Sequence, residues 1–120
     1  MIKDFKDLIV WQKSMELASV VYLLVKKLPK EELFALSNQI RRAVVSIPSN
    51  IAEGQGRNST KEFIHFLAIA KGSKAELETQ LLLCAQINYL NNSDIETAIN
   101  LIHEIGKMIN ALQKSLTTKI

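Results

Sequence analysis

The sequence predicts an all-α fold, an antiparallel up-down-up-down four-helix bundle, and three observations lead to it. Apolar residues recur at alternating steps of three and four along nearly the whole chain, the period of an amphipathic helix and not of a strand. Three short breaks divide that periodicity into four runs, and two of the breaks carry a hydroxyl followed three residues later by a carboxylate, the mark of a helix start. With 120 residues, 48% of them hydrophobic, the chain can close one core and has no material for a second, so one domain over residues 1–120 is expected.

The first run, Leu8, Trp11, Met15, Ala18, Tyr22 and Val25, predicts a helix over about residues 7–27, with Lys13, Glu16 and Lys26 off the seam. Leu28-Pro29-Lys30 stops it, because the residue before a proline is pushed out of helical geometry. The second run, Leu33, Leu36, Ile40, Ala43 or Val44, Ile47 and Ile51, predicts a helix over about 32–55 that ends at Gly54-Gln55-Gly56. Pro48 lies inside it; the period continues on both sides, which favours one kinked helix over two.

Ser59-Thr60-Lys61-Glu62 is a capping box and opens the third helix, over about 60–90, on the seam Phe63, Phe66 or Leu67, Ala70, Ser73, Leu77, Leu81, Cys84 and Ile87. Asn91-Asn92 is expected to close it. Ser93-Asp94-Ile95-Glu96 repeats the capping box and opens the fourth, over about 94–116, on Ile95, Ile99, Ile102, Ile105, Ile109, Leu112 and Leu116. Short connections make neighbouring helices antiparallel. Gly72 and Gly106 fall inside helices, where glycine costs about 1 kcal/mol relative to alanine, so close backbone packing is expected at both.

Fifteen basic residues against twelve acidic ones give a formal charge of +3, interspersed along the chain, which permits an anionic partner without demanding one. The single cysteine, Cys84, lies in an apolar run and reads as a buried structural thiol in a reducing, cytoplasmic setting. The mixed charge of Met1 to Asp7 is not that of a signal peptide, and the longest apolar stretch, Val20 to Val25, falls far short of the roughly 20 residues of a membrane span.

No set of residues reads as catalytic. Glu62-x-x-His65 has the spacing of a di-metal carboxylate ligand pair, but the residue three before His103 is Asn100, so the second pair is missing and no metal or cofactor is expected. Cys84 has no motif tying it to either histidine, and Gly54-Gln55-Gly56 lacks the Lys-Ser/Thr of a phosphate loop.

The polar residues near the seams carry more information. Arg41, Arg42, Ser46, Asn50 and Glu53 on helix two, with Ser73, Glu76 and Thr79 or Gln80 on helix three, read as a structural polar network between the helices, for instance Asn50 or Glu53 with Ser73 or Glu76, since buried polar groups must be paired. Arg41, Arg42, Arg57, Lys61, Lys71 and Lys74 are the candidates for a basic, nucleic-acid-binding face, with a merely solvated face as the plainer explanation. Val20, Val21, Leu24, Val45, Ile64, Ile69, Leu82, Leu83 and Ile102 exceed what a narrow seam needs, which suggests self-association.

Three segments carry a family likeness: Phe5-Lys6-Asp7-Leu8-x-x-Trp11-Gln12-Lys13; Gln39-Ile40-Arg41-Arg42-Ala43 with Ser46-Ile47-Pro48-Ser49-Asn50-Ile51-Ala52-Glu53-Gly54; and Ala70-Lys71-Gly72-Ser73-x-x-Glu76-Leu77-Glu78-Thr79-Gln80-Leu81. Together they resemble the bacterial four-helix proteins of ribosomal-RNA intervening sequences, over about Phe5 to Leu116. The resemblance implies a protomer that assembles into a five-membered ring, with no enzymatic activity, and makes Arg41, Asn50, Glu53, Ser73 and Glu76 architectural, pairing helices two and three or adjacent subunits. By analogy with related accessory proteins of diversity-generating retroelements, it also admits a basic ring that binds RNA or DNA and a protein partner. This chain departs from a strongly basic pattern. Two functions are thus expected: a homo-oligomeric scaffold for a protein partner, or an RNA-binding ring whose weak basic patches sum by avidity.

Overall fold

In the computed structural model, which describes residues 4–120, the chain forms four long helices: α1 (Ile9–Val25), α2 (Leu36–Gln55), α3 (Thr60–Gln86) and α4 (Asn92–Thr117). Met1 to Lys3, part of the segment read for a leader, lie outside the described residues. Short 3₁₀ turns, Phe5–Asp7 and Lys30–Glu32, precede α1 and α2. Each helix packs on its two sequence neighbours, α4 closes back on α1, and the diagonal pairs make no close backbone contact among the described residues.

The directions follow from which residues meet. Ser46 touches Ser73 while Gly54 faces Phe66, so α2 and α3 run oppositely. Glu78 meets His103 while Ile64 meets Gln113, and Lys13 meets Glu104 while Lys27 meets Asp94, which sets α4 antiparallel to both α3 and α1. The result is an up-and-down bundle with extents of 46 × 24 × 20 Å.

The core is built from Ile40, Val44, Ile47 and Ile51 of α2, Leu67, Ala70, Leu77 and Leu81 of α3, and Ile102, Ile105 and Ile109 of α4, all fully buried. On α1 the period is as expected but the phase is not. Leu8 and Val25, the ends of the expected seam, are buried, but between them the buried stripe is Val10, Ser14, Leu17, Val21 and Leu24, one residue back from Trp11, Met15, Ala18 and Tyr22, which lie along the flank. Ser14 makes that phase possible: its hydroxyl donates to the Val10 carbonyl at 2.7 Å, so a polar residue enters the core already satisfied.

Helix ends differ from expectation for local reasons. The turn through Lys26 to Leu28 ends α1 ahead of Pro29. The Glu32 carboxylate accepts the Leu36 N–H at 3.3 Å, so α2 starts four residues later than its apolar spacing suggested. At the end of α3, Asn88 takes a left-handed φ of 65°, and the Tyr89 and Leu90 N–H groups turn back to the Cys84 carbonyl at 2.9 and 3.2 Å, ending the helix well before Asn91. Asn91 instead opens α4. Its Oδ1 accepts the Asp94 N–H at 2.8 Å while Asp94 Oδ2 accepts the Asn91 N–H at 3.0 Å, so the capping box is Asn91/Asp94 and not Ser93/Glu96. Ser59 caps α3, its hydroxyl accepting the Glu62 N–H at 3.2 Å.

Pro48 sits within a continuous α2, buried against α1. Gly54 is also inside α2, where a Cβ would come within 2.7 Å of the Phe66 Cβ; its role is close helix packing. Gly106 likewise lies under the Lys74 side chain, with a Cβ-to-carbon distance of 3.3 Å. Gly72 departs from the packing expectation, having nothing within 4 Å of its Cβ direction.

Candidate assembly and nucleic-acid surfaces

Two kinds of surface are available to this fold: the polar seam between α2 and α3, and the apolar residues outside the core. In the seam, the Ser46 and Ser73 hydroxyls are 2.8 Å apart, and the Asn50 amide donates to the Ser46 hydroxyl at 2.9 Å and to its carbonyl at 2.8 Å. The other residues of the network reading have separate partners. Glu76 accepts from the Gln80 amide at 3.3 Å, Glu53 pairs with Arg57 at 3.3 Å, and Arg41 donates to the Leu33 carbonyl at 3.4 Å. Asn50 and Ser73 are thus joined through Ser46, while Glu53 and Glu76 stand apart from them, because one turn along α2 or α3 supplies a partner on the same helix, and Arg41 stands apart because it reaches back to the Leu33 carbonyl ahead of α2.

A notch of about 300 Å³ runs beside this seam, lined by Gln39, Arg42, Ala43, Ser46, Ser73 and Glu76. Gln80, one turn along α3 from Glu76, is 7% exposed, and its Oε1 is a buried acceptor without a partner among the described residues.

The six basic candidates do not share one face. Arg41 and Arg42 line one shallow cavity with Tyr22 and Val45, Arg41 reaching on to the α1–α2 end and Arg42 to the α2–α3 notch, whereas Lys74 lies over Gly106 of α4, paired with Glu78 at 3.8 Å. Arg57 is held in the α2–α3 turn by Glu53 and by Glu62 at 3.7 Å, with its guanidinium 5.0 Å from the Phe66 ring centre. Arg42, Lys61 and Lys71 are exposed and have no carboxylate within 4.0 Å among the described residues.

Of the surplus apolar residues, Val21, Leu24 and Ile102 are consumed by the core, Val20 and Ile64 are half-buried, and Val45, Ile69, Leu82 and Leu83 stay exposed. Val45 joins the residues displaced from the α1 seam. Trp11, Met15, Ala18, Val45, Pro48 and Ala52 line a shallow groove of about 350 Å³ along the α1–α2 flank.

His65 is exposed beside Phe66, and His103 meets Glu78 at 3.0 Å. Among the described residues no three His, Cys, Asp or Glu side chains gather as a metal-binding group. Cys84 is fully buried, and desolvation, with the nearby Glu32 charge second, pushes its thiol above the ordinary range and disfavours the thiolate. No described helix is long and apolar enough to cross a membrane.

The family model for the 23S rRNA-intervening sequence protein matches residues 6–111, spanning all four helices. The chain belongs to this family. Among solved structures, a crystal structure of a protein with unknown function from the S23 ribosomal protein family of Bacteroides thetaiotaomicron VPI-5482 is 33% identical, with a TM-score of 0.82 over 88% of this chain and 99% of that one. No curated protein matches. Neither the description of the 23S rRNA-intervening sequence protein family nor that of the solved relative carries an enzymatic activity.

Sequence reasoning does not pick out Lys26, Lys30 or Phe34, which the fold gathers at the α1–α2 end. The signal for them is local: Leu33-Phe34, two large apolar residues in succession, follows directly on a charged break instead of falling on a helical seam.

Proposed function

We propose that this chain is a non-enzymatic scaffold that assembles with copies of itself through the α1–α2 flank, into a ring of five as the family resemblance implies, and presents the remaining surface to a protein partner. The observation that carries this reading is the displaced seam of α1. Met15 is 45% and Val45 42% exposed on a groove also lined by Trp11 and Pro48, a surface with core-like composition and nothing over it. Interfaces of homo-oligomers have that apolar character, and a ring seats this flank of each subunit on a second surface of the next.

A second reading, an RNA-binding ring, draws on Arg42, Lys61 and Lys71, the exposed cations without a carboxylate partner among the described residues. Summed over several subunits, such weak contacts to phosphate give avidity and a steep dependence on salt. Size exclusion coupled to light scattering, with and without a structured RNA at low and moderate salt, tests both readings. An oligomer indifferent to RNA supports the scaffold. A mass that rises with RNA only at low salt supports the second reading, and a strict monomer at about tens of micromolar overturns the assembly. Met15→Glu with Val45→Glu is expected to reduce the oligomer to smaller species.

A further inference from the structure

The end of the bundle where α1 passes into α2 carries a second uncovered apolar site, separate from the flank groove. A cavity of about 550 Å³ lies there, with Val25, Leu28, Pro29 and Leu33 among its lining residues. Three cations, Lys26, Lys30 and Arg41, line it too, and none has a carboxylate within 4.0 Å among the described residues. Immediately beside it, Phe34 stands 91% exposed, the largest exposure of any big apolar side chain described.

The segment bearing Phe34 is held in place. Arg41 donates to the Leu33 carbonyl at 3.4 Å, and the two oxygens of the Glu32 carboxylate accept the Leu36 N–H at 3.3 Å and the Tyr89 hydroxyl at 2.8 Å. Phe34 is therefore presented from a fixed backbone, which lowers the ordering entropy that a partner must overcome. Glu31, three residues before it, is exposed and has no ion-pair partner among the described residues.

Knob and socket thus lie side by side on one patch, with an unpaired acid at the knob and unpaired bases at the socket. A patch that contains both halves of a contact is self-complementary, the condition for a two-fold pairing in which each copy gives what the other receives. We propose that Phe34 of one protomer seats in the Tyr22–Leu33 cavity of a second copy, with Glu31 against Lys26 and Lys30 of that copy, and that the same contact is made in reverse. This end-to-end pairing extends the self-assembly reading but stands on different residues from the flank groove, and either contact can exist without the other.

The test is the mass of the intact chain by light scattering, for wild type and Phe34→Asp, each in the native background and in the Met15→Glu/Val45→Glu background. Phe34 is so exposed that its replacement leaves the fold intact, which circular dichroism checks. The expected result is a twofold loss of mass in Phe34→Asp in both backgrounds. A Lys26→Glu/Lys30→Glu chain is expected to lose the doubling as well, and adding Glu31→Lys to it to restore the doubling. Equal masses for wild type and Phe34→Asp overturn the end-to-end pairing while leaving flank assembly standing. A drop of more than twofold for Phe34→Asp in the native background overturns it too, because Phe34 then belongs to the flank contact.

Discussion

The Ser46 and Ser73 hydroxyls lie 2.8 Å apart across the α2–α3 interface, and Asn50, one turn along α2, donates to the Ser46 hydroxyl at 2.9 Å. All three are half-buried, so water substitutes poorly for a lost partner. Ser46 holds the centre: removing its hydroxyl strands Ser73 and takes one of two acceptors from the Asn50 amide, whereas removing that of Ser73 leaves the Ser46 hydroxyl still accepting from Asn50.

Ser73→Ala is expected to lower stability by about 1 kcal/mol and Ser46→Ala by more, the usual range for a hydrogen bond lost with a partner left behind. The double variant should fall short of the sum of the two, because the second deletion removes a group that the first had already stranded. Urea unfolding of the four chains gives the coupling. Strict additivity would show that the two hydroxyls are solvated independently.

Gly54→Ala and Gly72→Ala are expected to move stability in opposite directions. At Gly54 the new methyl meets the Phe66 Cβ at 2.7 Å, a side-chain root that cannot swing away, so α2 and α3 must separate. A loss of about 1–3 kcal/mol is expected, the range for overpacking. At Gly72 the methyl meets nothing within 4 Å and alanine's helix preference is gained, about 1 kcal/mol. Thermal unfolding of the two variants checks both signs.

Acid sensitivity should trace in part to the start of α4. The Asp94 carboxylate is held below its ordinary range, first by the Asn91 backbone N–H and then by the Lys27 ammonium at 3.0 Å. A carboxyl lowered in the folded state contributes stability that is present above its unfolded value of about 3.9 and is lost as pH falls through the lower, folded one. Asp94→Asn should therefore flatten the dependence of the melting temperature on pH below about 4, with the larger deficit against wild type at neutral pH. Parallel pH profiles for the two chains measure it.

Much of this architecture is legible in the amino-acid order, and the departures have identifiable causes. Apart from Leu33, which lies ahead of α2 and is exposed, the seams of α2 and α4 are legible because their polar faces are distinct. On α1, two adjacent stripes are both spaced by threes and fours, and the one with the bulkier residues, Trp11, Met15 and Tyr22, is the flank. The buried stripe contains a serine, Ser14, and its bond to the Val10 carbonyl shows why that polar residue is tolerated there. At α4, two residues of the Asn91–Glu96 segment fit a capping role, and the left-handed turn at Asn88, invisible in a spacing argument, decides for Asn91. The polar seam was legible as residue types near α2 and α3, but not as pairs: that Glu53 turns to Arg57 and Glu76 to Gln80 depends on side-chain reach along one helix.

Tyr89 and Glu32 provide the alkaline counterpart of Asp94. The Tyr89 hydroxyl donates to Glu32 at 2.8 Å, tying the α3–α4 turn to the entry of α2, and that hydrogen bond is the main reason its pKa is raised; desolvation and the Glu32 charge add to it. The neutral phenol is the form that binds, since a phenolate would face a carboxylate. For a group raised in the folded state, the contribution is complete below the unfolded value of about 10 and disappears as pH climbs through the folded one. Tyr89→Phe should thus destabilise the chain at neutral pH and remove part of the alkaline loss of stability. In a Tyr22→Phe background, phenolate absorbance then reports Tyr89 alone: Glu32→Gln is expected to shift its titration to lower pH, and an unshifted curve would mean that the 2.8 Å contact does not persist in solution.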